Sequence, residues 1–221
     1  MPVITIRGKM GSGAPEIGKM LAEKLKYDYI DREIIAAVAT RLNLQENEVI
    51  AKEMPPVTLR ERIEEALQKG YAAGIGVQGA YLPISQIPLD DTRYINALTS
   101  LIKDLAKDHS LVIYGRGSQF ILRDDPDTLN VSMVASFKFR LASTMEALKM
   151  TEERAKSEMN RLDNSAHQFH KRYFGAEMED PTCYDIVINS ERISYPIAIE
   201  LVINALTAKL EAGRLKSDRV N

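Results

Sequence analysis

The chain has one cysteine, Cys183, in 221 residues. That excludes an intrachain disulfide and a cysteine-cluster metal site and fits a reducing compartment; a lone thiol of this kind is expected to be buried rather than nucleophilic. There is no run of about 18 apolar residues, and the start MPVITIRGKM lacks the charged segment followed by a long apolar one that marks an export signal. A cytoplasmic protein, neither secreted nor membrane-spanning, is expected. Neither sign of charge is in excess. With 29 Lys and Arg against 31 Asp and Glu the net charge is -2, so nothing points to nucleic acid or a membrane as partner, and any anion site has to be local. No internal repeat or low-complexity tract is present. What is present is an ordinary globular composition, 45% hydrophobic and 27% charged, in a chain long enough for one domain with an inserted or mobile subdomain.

The apolar pattern alternates between short β-branched runs and helical spacing. Residues 3–6 read as a buried strand bounded by Arg7 and Gly8, and a glycine-rich loop over 8–13 follows. Ile17, Met20, Leu21 and Leu25 then recur at helical spacing, with Pro15 suited to the first turn and Glu16 favourable to the helix dipole. A second strand over 27–30 leads into a helix over 33–42. Helical spacing continues over 45–69 apart from Pro55 and Pro56, and 70–88, rich in glycine and proline, reads as a long functional loop. Further strands are expected over 111–114, ending in Gly115, Arg116 and Gly117, over 129–135, and over 184–188. A helix begins near Phe137. Thr151 caps another, with Glu152 and Glu153 in its first turn and a packing face of Ala155, Met159, Leu162, Ala166, Phe169 and Tyr173. Ala198, Leu201, Val202, Ala205 and Leu206 face inward from the last helix. Five strands alternating with helices imply an α/β fold with a mostly parallel, doubly wound sheet.

Phosphate binding needs backbone N–H groups converging at a helix N-terminus and glycines that let the backbone come close. Gly8, Gly11 and Gly13 with Ser12 meet that need between a first strand and a first helix. The full pattern G-x-x-x-x-G-K-[ST] would place lysine at 14 and a hydroxyl at 15, where Ala14 and Pro15 stand. A replacement cation is expected from Lys9, inside the loop, in preference to Arg7, which is expected to turn into the packing layer of the sheet. His167 and His170 lie three apart on one helix, but with no nearby cysteine and only His109 besides, a zinc site is not expected. Tyr71 and Tyr81, with the glycines between them, fit a base pocket or a mobile segment without base contacts.

The segments GSGAPEIGKMLAEKLKYDYIDREII, VIYGRGSQFILRDDPDTLNVSMVAS and YFGAEMEDPTCYDIVINSERIS together resemble the cytidylate kinase-like family. The resemblance implies a five-stranded parallel sheet of the P-loop kinase type in one domain, with its core over residues 1–42, 109–150 and 182–214, a helical acceptor-binding insertion over 43–108 and a lid over 151–181. It implies transfer of the γ-phosphoryl group of ATP, with Mg²⁺, to a nucleoside monophosphate such as CMP. It places Gly8, Lys9, Gly11, Ser12, Gly13 and Ala14 at the donor phosphates, Asp31 and Arg32 at the acceptor, and Arg116 on the acceptor phosphate unless it serves a structural ion pair. Arg140 reaches the transferred group or only caps its helix, and Asp163 matches an aspartate of the lid helix. Ser143 and Ala166 stand where the family usually has further arginines, which weakens the case for activity more than for binding. A catalytically weak nucleotide-binding module and a structural protein that dimerises through the 155–173 seam are the competing readings.

Overall fold

The structure, a computed structural model, describes residues 1–31, 33–53 and 91–217, the side chains of Glu53 and of 214–217 apart. Arg32, Tyr71, Tyr81 and the glycine-rich stretch 70–88 lie outside the described residues. In chain order come β1 (Val3–Gly8), α1 (Ala14–Leu25), β2 (Asp28–Ile30), α2 (Glu33–Leu42), α3 (Glu46–Glu53), α4 (Asp91–Asp108), β3 (Leu111–Tyr114), α5 (Ser118–Ile121), β4 (Thr128–Val134), α6 (Phe137–Leu148), α7 (Glu152–Phe174), a 3₁₀ turn (Pro181–Cys183), β5 (Ile186–Asn189) and α8 (Tyr195–Ser217).

The five strands form one parallel sheet in the order β2-β3-β1-β4-β5. β1 is central. It runs two residues further than its apolar run, because Arg7 and Gly8 still pair with Ser132 and Met133 of β4. β5 starts two residues later than its apolar run: the Tyr184 N–H closes the 3₁₀ turn on Pro181, and although the Asp185 N–H donates to the Asn130 carbonyl at 2.8 Å, it is the Asp185 carboxylate that accepts from the Asn130 N–H, at 2.7 Å.

Alternation along the strands builds a core on each face. Ile4, Ile6, Val112, Val131 and Met133 pack with Ile17 and Leu21 of α1 and Val202 and Leu206 of α8. Val3, Leu111 and Ile113 face the other way, onto α2 and α4. On that second face β1 turns polar toward its carboxyl end. Thr5 donates to Asn130 Oδ1 at 2.7 Å, and Arg7, only 7% exposed, donates to the Met178 carbonyl at 3.1 Å.

Two inward positions read from periodicity, and the burial expected of Cys183, are corrected. Met20 is 39% and Leu201 41% exposed, while Gly18 and Ile199 are buried instead, because each helix rotates its buried arc toward the strand it crosses. Cys183 is half-exposed at the end of the 3₁₀ turn rather than buried. The 155–173 seam is already used within the chain. Ala155, Met159 and Phe169 are buried, and Phe169, Tyr173 and Phe174 form an aromatic cluster with Tyr94, Phe120 and His170, so this seam is no free dimer surface.

Candidate functional site

The loop between β1 and α1 lies at the carboxyl edge of the central strand, where open parallel sheets bind their ligands. Among the described residues the N–H groups of Gly11, Gly13, Ala14 and Glu16 meet no protein acceptor, whereas Ser12 N–H donates to the Lys9 carbonyl at 3.0 Å and Ile17 N–H to Gly13 at 3.0 Å. Four unpaired amides at a helix N-terminus form an anion site. Gly11 takes φ 80, and a Cβ there would run into the Arg140 carbonyl and the Thr144 hydroxyl. Ser12 gives neither amide nor hydroxyl to this site. It is fully buried, its hydroxyl has no partner among the described residues, and its carbonyl accepts from Ser190 at 2.7 Å, which fastens the loop to the turn after β5.

The loop opens into a crevice of about 960 Å³ that also takes in Arg7, Asp31, Arg116, Asp163 and Tyr195. Asp31 and Arg116, 85 residues apart, approach to 3.5 Å (Oδ1 to Nη2). Asp31 is steadied by its own N–H, which donates to Glu33 Oε2 at 2.9 Å; that bond helps hold the Glu33 carboxyl below its usual range. Arg116 has φ 59 between Gly115 and Gly117, at 70 and 68. A left-handed arginine is unfavourable and persists where its surroundings enforce it. Next to it, a Cβ on Gly117 would strike the Phe174 ring of α7.

Arg140 and Asp163 are brought together. Arg140 Nη1 lies 2.8 Å from Asp163 Oδ2 and also donates to the Met10 carbonyl of the loop at 3.1 Å. Arg140 is not the cap of α6: that is Ser136, whose hydroxyl accepts from Phe139 N–H at 3.2 Å. Ser143 and Ala166 line the crevice without charge. Lys9 leaves the loop for Glu179, at 2.7 Å. Burial pushes the Glu179 carboxyl up, and the bonded Lys9 ammonium more than offsets this, holding it below its usual range.

The two histidines of α7 part company. His170 is buried: its Nδ1–H donates to the Ala166 carbonyl at 2.6 Å, and its Nε2 accepts from the Gln119 amide at 3.2 Å. Burial pushes its pKa down to about 4, so it is neutral. His167 turns outward to Glu177 and Glu179, their ligand atoms within 4.8 Å of one another, but Lys171 and Lys9 already occupy those carboxylates. His109 stands apart, by Asp28.

Sequence reasoning missed Glu16 and Tyr195 as crevice residues. Glu16 was read only as a dipole residue, although its place in the first turn after the loop was the signal. Tyr195 follows a strand of the same sheet, and the rule that such loops line the carboxyl edge would have found it.

This strand order, with an amide-rich loop at the edge of the central strand and a crevice lined by both arginines and carboxylates beside it, defines a P-loop kinase fold. The chain belongs to the cytidylate kinase-like family, whose model matches residues 3–192. Among solved structures it is similar to an uncharacterized protein from Eubacterium ventriosum, at 19% identity and TM-score 0.66 over 94% of this chain and 99% of that one. It is also similar to a gluconokinase from Sinorhizobium meliloti, at 15% identity and TM-score 0.50 over 98% and 97%, and to a sugar kinase from Janibacter, at 13% and 0.50 over 94% and 95%. These likenesses concern the fold. No curated protein matches. Among the described residues no helix is long and apolar enough to cross a membrane.

Proposed function

We propose that the protein transfers the γ-phosphoryl group of ATP to a nucleoside monophosphate, CMP being the leading acceptor. The observation that carries this reading is the set of unpaired amides of Gly11, Gly13, Ala14 and Glu16 in the same crevice as Arg116. An oxygen of the acceptor phosphate attacks the γ-phosphorus, the bond to the β–γ bridging oxygen breaks, and ADP leaves. Such a transfer is catalysed by positioning and charge stabilisation more than by covalent steps. In this reading the loop amides hold the donor, Arg116 with Asp31 beside it holds the acceptor, and Arg140, oriented by Asp163, stands nearest the transferred group.

The residues fit Mg²⁺ with few protein ligands, as that ion prefers. Glu16 lines the crevice and forms no ion pair among the described residues, so it would hold the ion. Held there, Mg²⁺ would neutralise part of the charge of the donor phosphates. A lid over 151–181 belongs to the same proposal. Phe169, Tyr173 and Phe174 anchor the end of its helix.

A second reading, a nucleotide-binding regulatory module with little turnover, is favoured by one observation: Lys9 and Arg140 are both engaged by carboxylates. A coupled assay of ADP release over a panel of monophosphates, run beside ATP titration, separates the two. Turnover with a pyrimidine monophosphate supports the kinase; ATP binding without turnover supports the module.

A further inference from the structure

With Ala14 and Pro15 in place of a lysine and a hydroxyl, the donor loop carries no cationic side chain besides Lys9, and that one is held by Glu179 at 2.7 Å. Ser12 adds no ligand group: its hydroxyl is buried and turned back over Gly8, where a Cβ would meet it. Anion binding at this loop therefore rests on backbone N–H groups, which serve one ligand only if they are aimed together. What aims them lies on the opposite edge of each peptide unit.

A peptide unit is planar, and in the trans form its C=O and N–H point in opposite directions. No peptide bond among the described residues is cis. Fixing a carbonyl on one side thus turns the following N–H to the other. Three carbonyls of the loop are fixed. That of Lys9 accepts the Ser12 N–H at 3.0 Å, that of Met10 accepts Arg140 Nη1 at 3.1 Å, and that of Ser12 accepts the Ser190 hydroxyl at 2.7 Å. The last two precede Gly11 and Gly13, which line the crevice and whose N–H groups meet no acceptor among the described residues.

Ser190 is held as a fixed post. It stands directly after β5 and is 6% exposed, and its own N–H donates to the Val134 carbonyl at the end of β4, at 2.9 Å. The turn beyond it closes on the Asn189 carbonyl, which accepts from Arg192 at 3.1 Å and from Ile193 at 2.9 Å. A serine hydroxyl has one proton to give. The Val134 carbonyl, 3.3 Å from Ser190 Oγ, is already served by the Ser190 N–H, so the hydroxyl proton goes to Ser12.

We propose that Ser190 is a positioning residue for the donor: through the Ser12 carbonyl it sets the direction of the Gly13 N–H, and with it the affinity of the loop for a polyphosphate. This rests on the reading of the loop as the donor site, and it adds a residue that touches no ligand. Arg140 holds the Met10 carbonyl in the same manner, but its ion pair with Asp163 gives it other work; Ser190 is uncharged and isolates the effect.

The test titrates inorganic pyrophosphate and, separately, CMP into the full chain as wild type, Ser190→Ala and Ser190→Thr, by calorimetry and by ¹⁵N amide spectra. The wild-type Gly13 resonance is expected to move on adding pyrophosphate. Ser190→Ala is expected to shift the Gly13 ¹⁵N resonance before any ligand is added and to weaken pyrophosphate by about fivefold or more, the scale of a lost buried hydrogen bond, with CMP affinity within about twofold of wild type. Ser190→Thr, which keeps the hydroxyl, is expected to bind pyrophosphate as the wild type does. A merely structural serine would lower thermal stability without this selective loss. The proposal is overturned by unchanged pyrophosphate affinity in Ser190→Ala, by an equal loss for CMP, by a threonine variant as weak as the alanine one, or by a wild-type Gly13 resonance that ignores pyrophosphate. Pyrophosphate binding at Gly13 without turnover of any monophosphate counts against the kinase reading alone. Should Ser190→Ala not fold, Ser190→Cys, of nearly the same shape but a weak donor, takes its place, and unchanged pyrophosphate affinity there overturns the proposal equally.

Discussion

Arg140 and Asp163 form a buried ion pair at 2.8 Å, and the same guanidinium donates to the Met10 carbonyl, so one side chain joins α6, α7 and the donor loop. Removing one partner leaves the other charge buried without compensation. Asp163→Ala is therefore expected to destabilise the protein by about 3 kcal/mol in urea unfolding, and Arg140→Met in the same background to recover part of that loss. Equal stability of Asp163→Ala and wild type would show the pair to be dispensable.

Gly11→Ala combines a left-handed backbone at φ 80 with a Cβ driven into the Arg140 carbonyl. The expected cost is about 2 kcal/mol of stability, together with loss of ATP-analogue binding, since the loop amides move. A folded Gly11→Ala protein with wild-type affinity would remove the loop from the donor site.

His170 gives a pH dependence of definite sign. Its folded pKa of about 4 lies below the ordinary value of 6.5, so the unfolded chain binds the proton more readily. The stability of the neutral form is full above about pH 6.5 and is lost as pH falls from there toward about 4, by up to about 1.4 kcal/mol per pH unit. Urea midpoints of wild type and His170→Gln across that window should differ in slope, the wild type falling more steeply. Parallel slopes would mean that His170 does not titrate with unfolding.

Glu16→Gln tests the Mg²⁺ assignment. The concentration of Mg²⁺ giving half-maximal activity is expected to rise about tenfold or more, with affinity for metal-free ATP unchanged or improved, because a carboxylate in the crevice is lost. An unaltered Mg²⁺ requirement would place the ion elsewhere.

Much of the fold was legible because its signals are local. Val3 to Ile6 and Leu111 to Tyr114 are apolar runs buried on both faces, and the glycine loop between a strand and a helix has few other uses. The pairing of Arg140 with Asp163, or of Asp31 with Arg116, was not legible, since it depends on which strand ends the sheet order brings together. Periodicity also misplaced Met20 and Leu201, because it marks an apolar stripe but not the rotation that packing selects.

The central claim, phosphoryl transfer from ATP to a nucleoside monophosphate, is met most directly by ³¹P NMR of the protein with ATP, Mg²⁺ and CMP. The account predicts that ADP and CDP appear together in equal amounts and that omitting CMP stops ADP formation. ADP accompanied by inorganic phosphate instead of CDP, or unchanged ATP with every monophosphate tried, would contradict it.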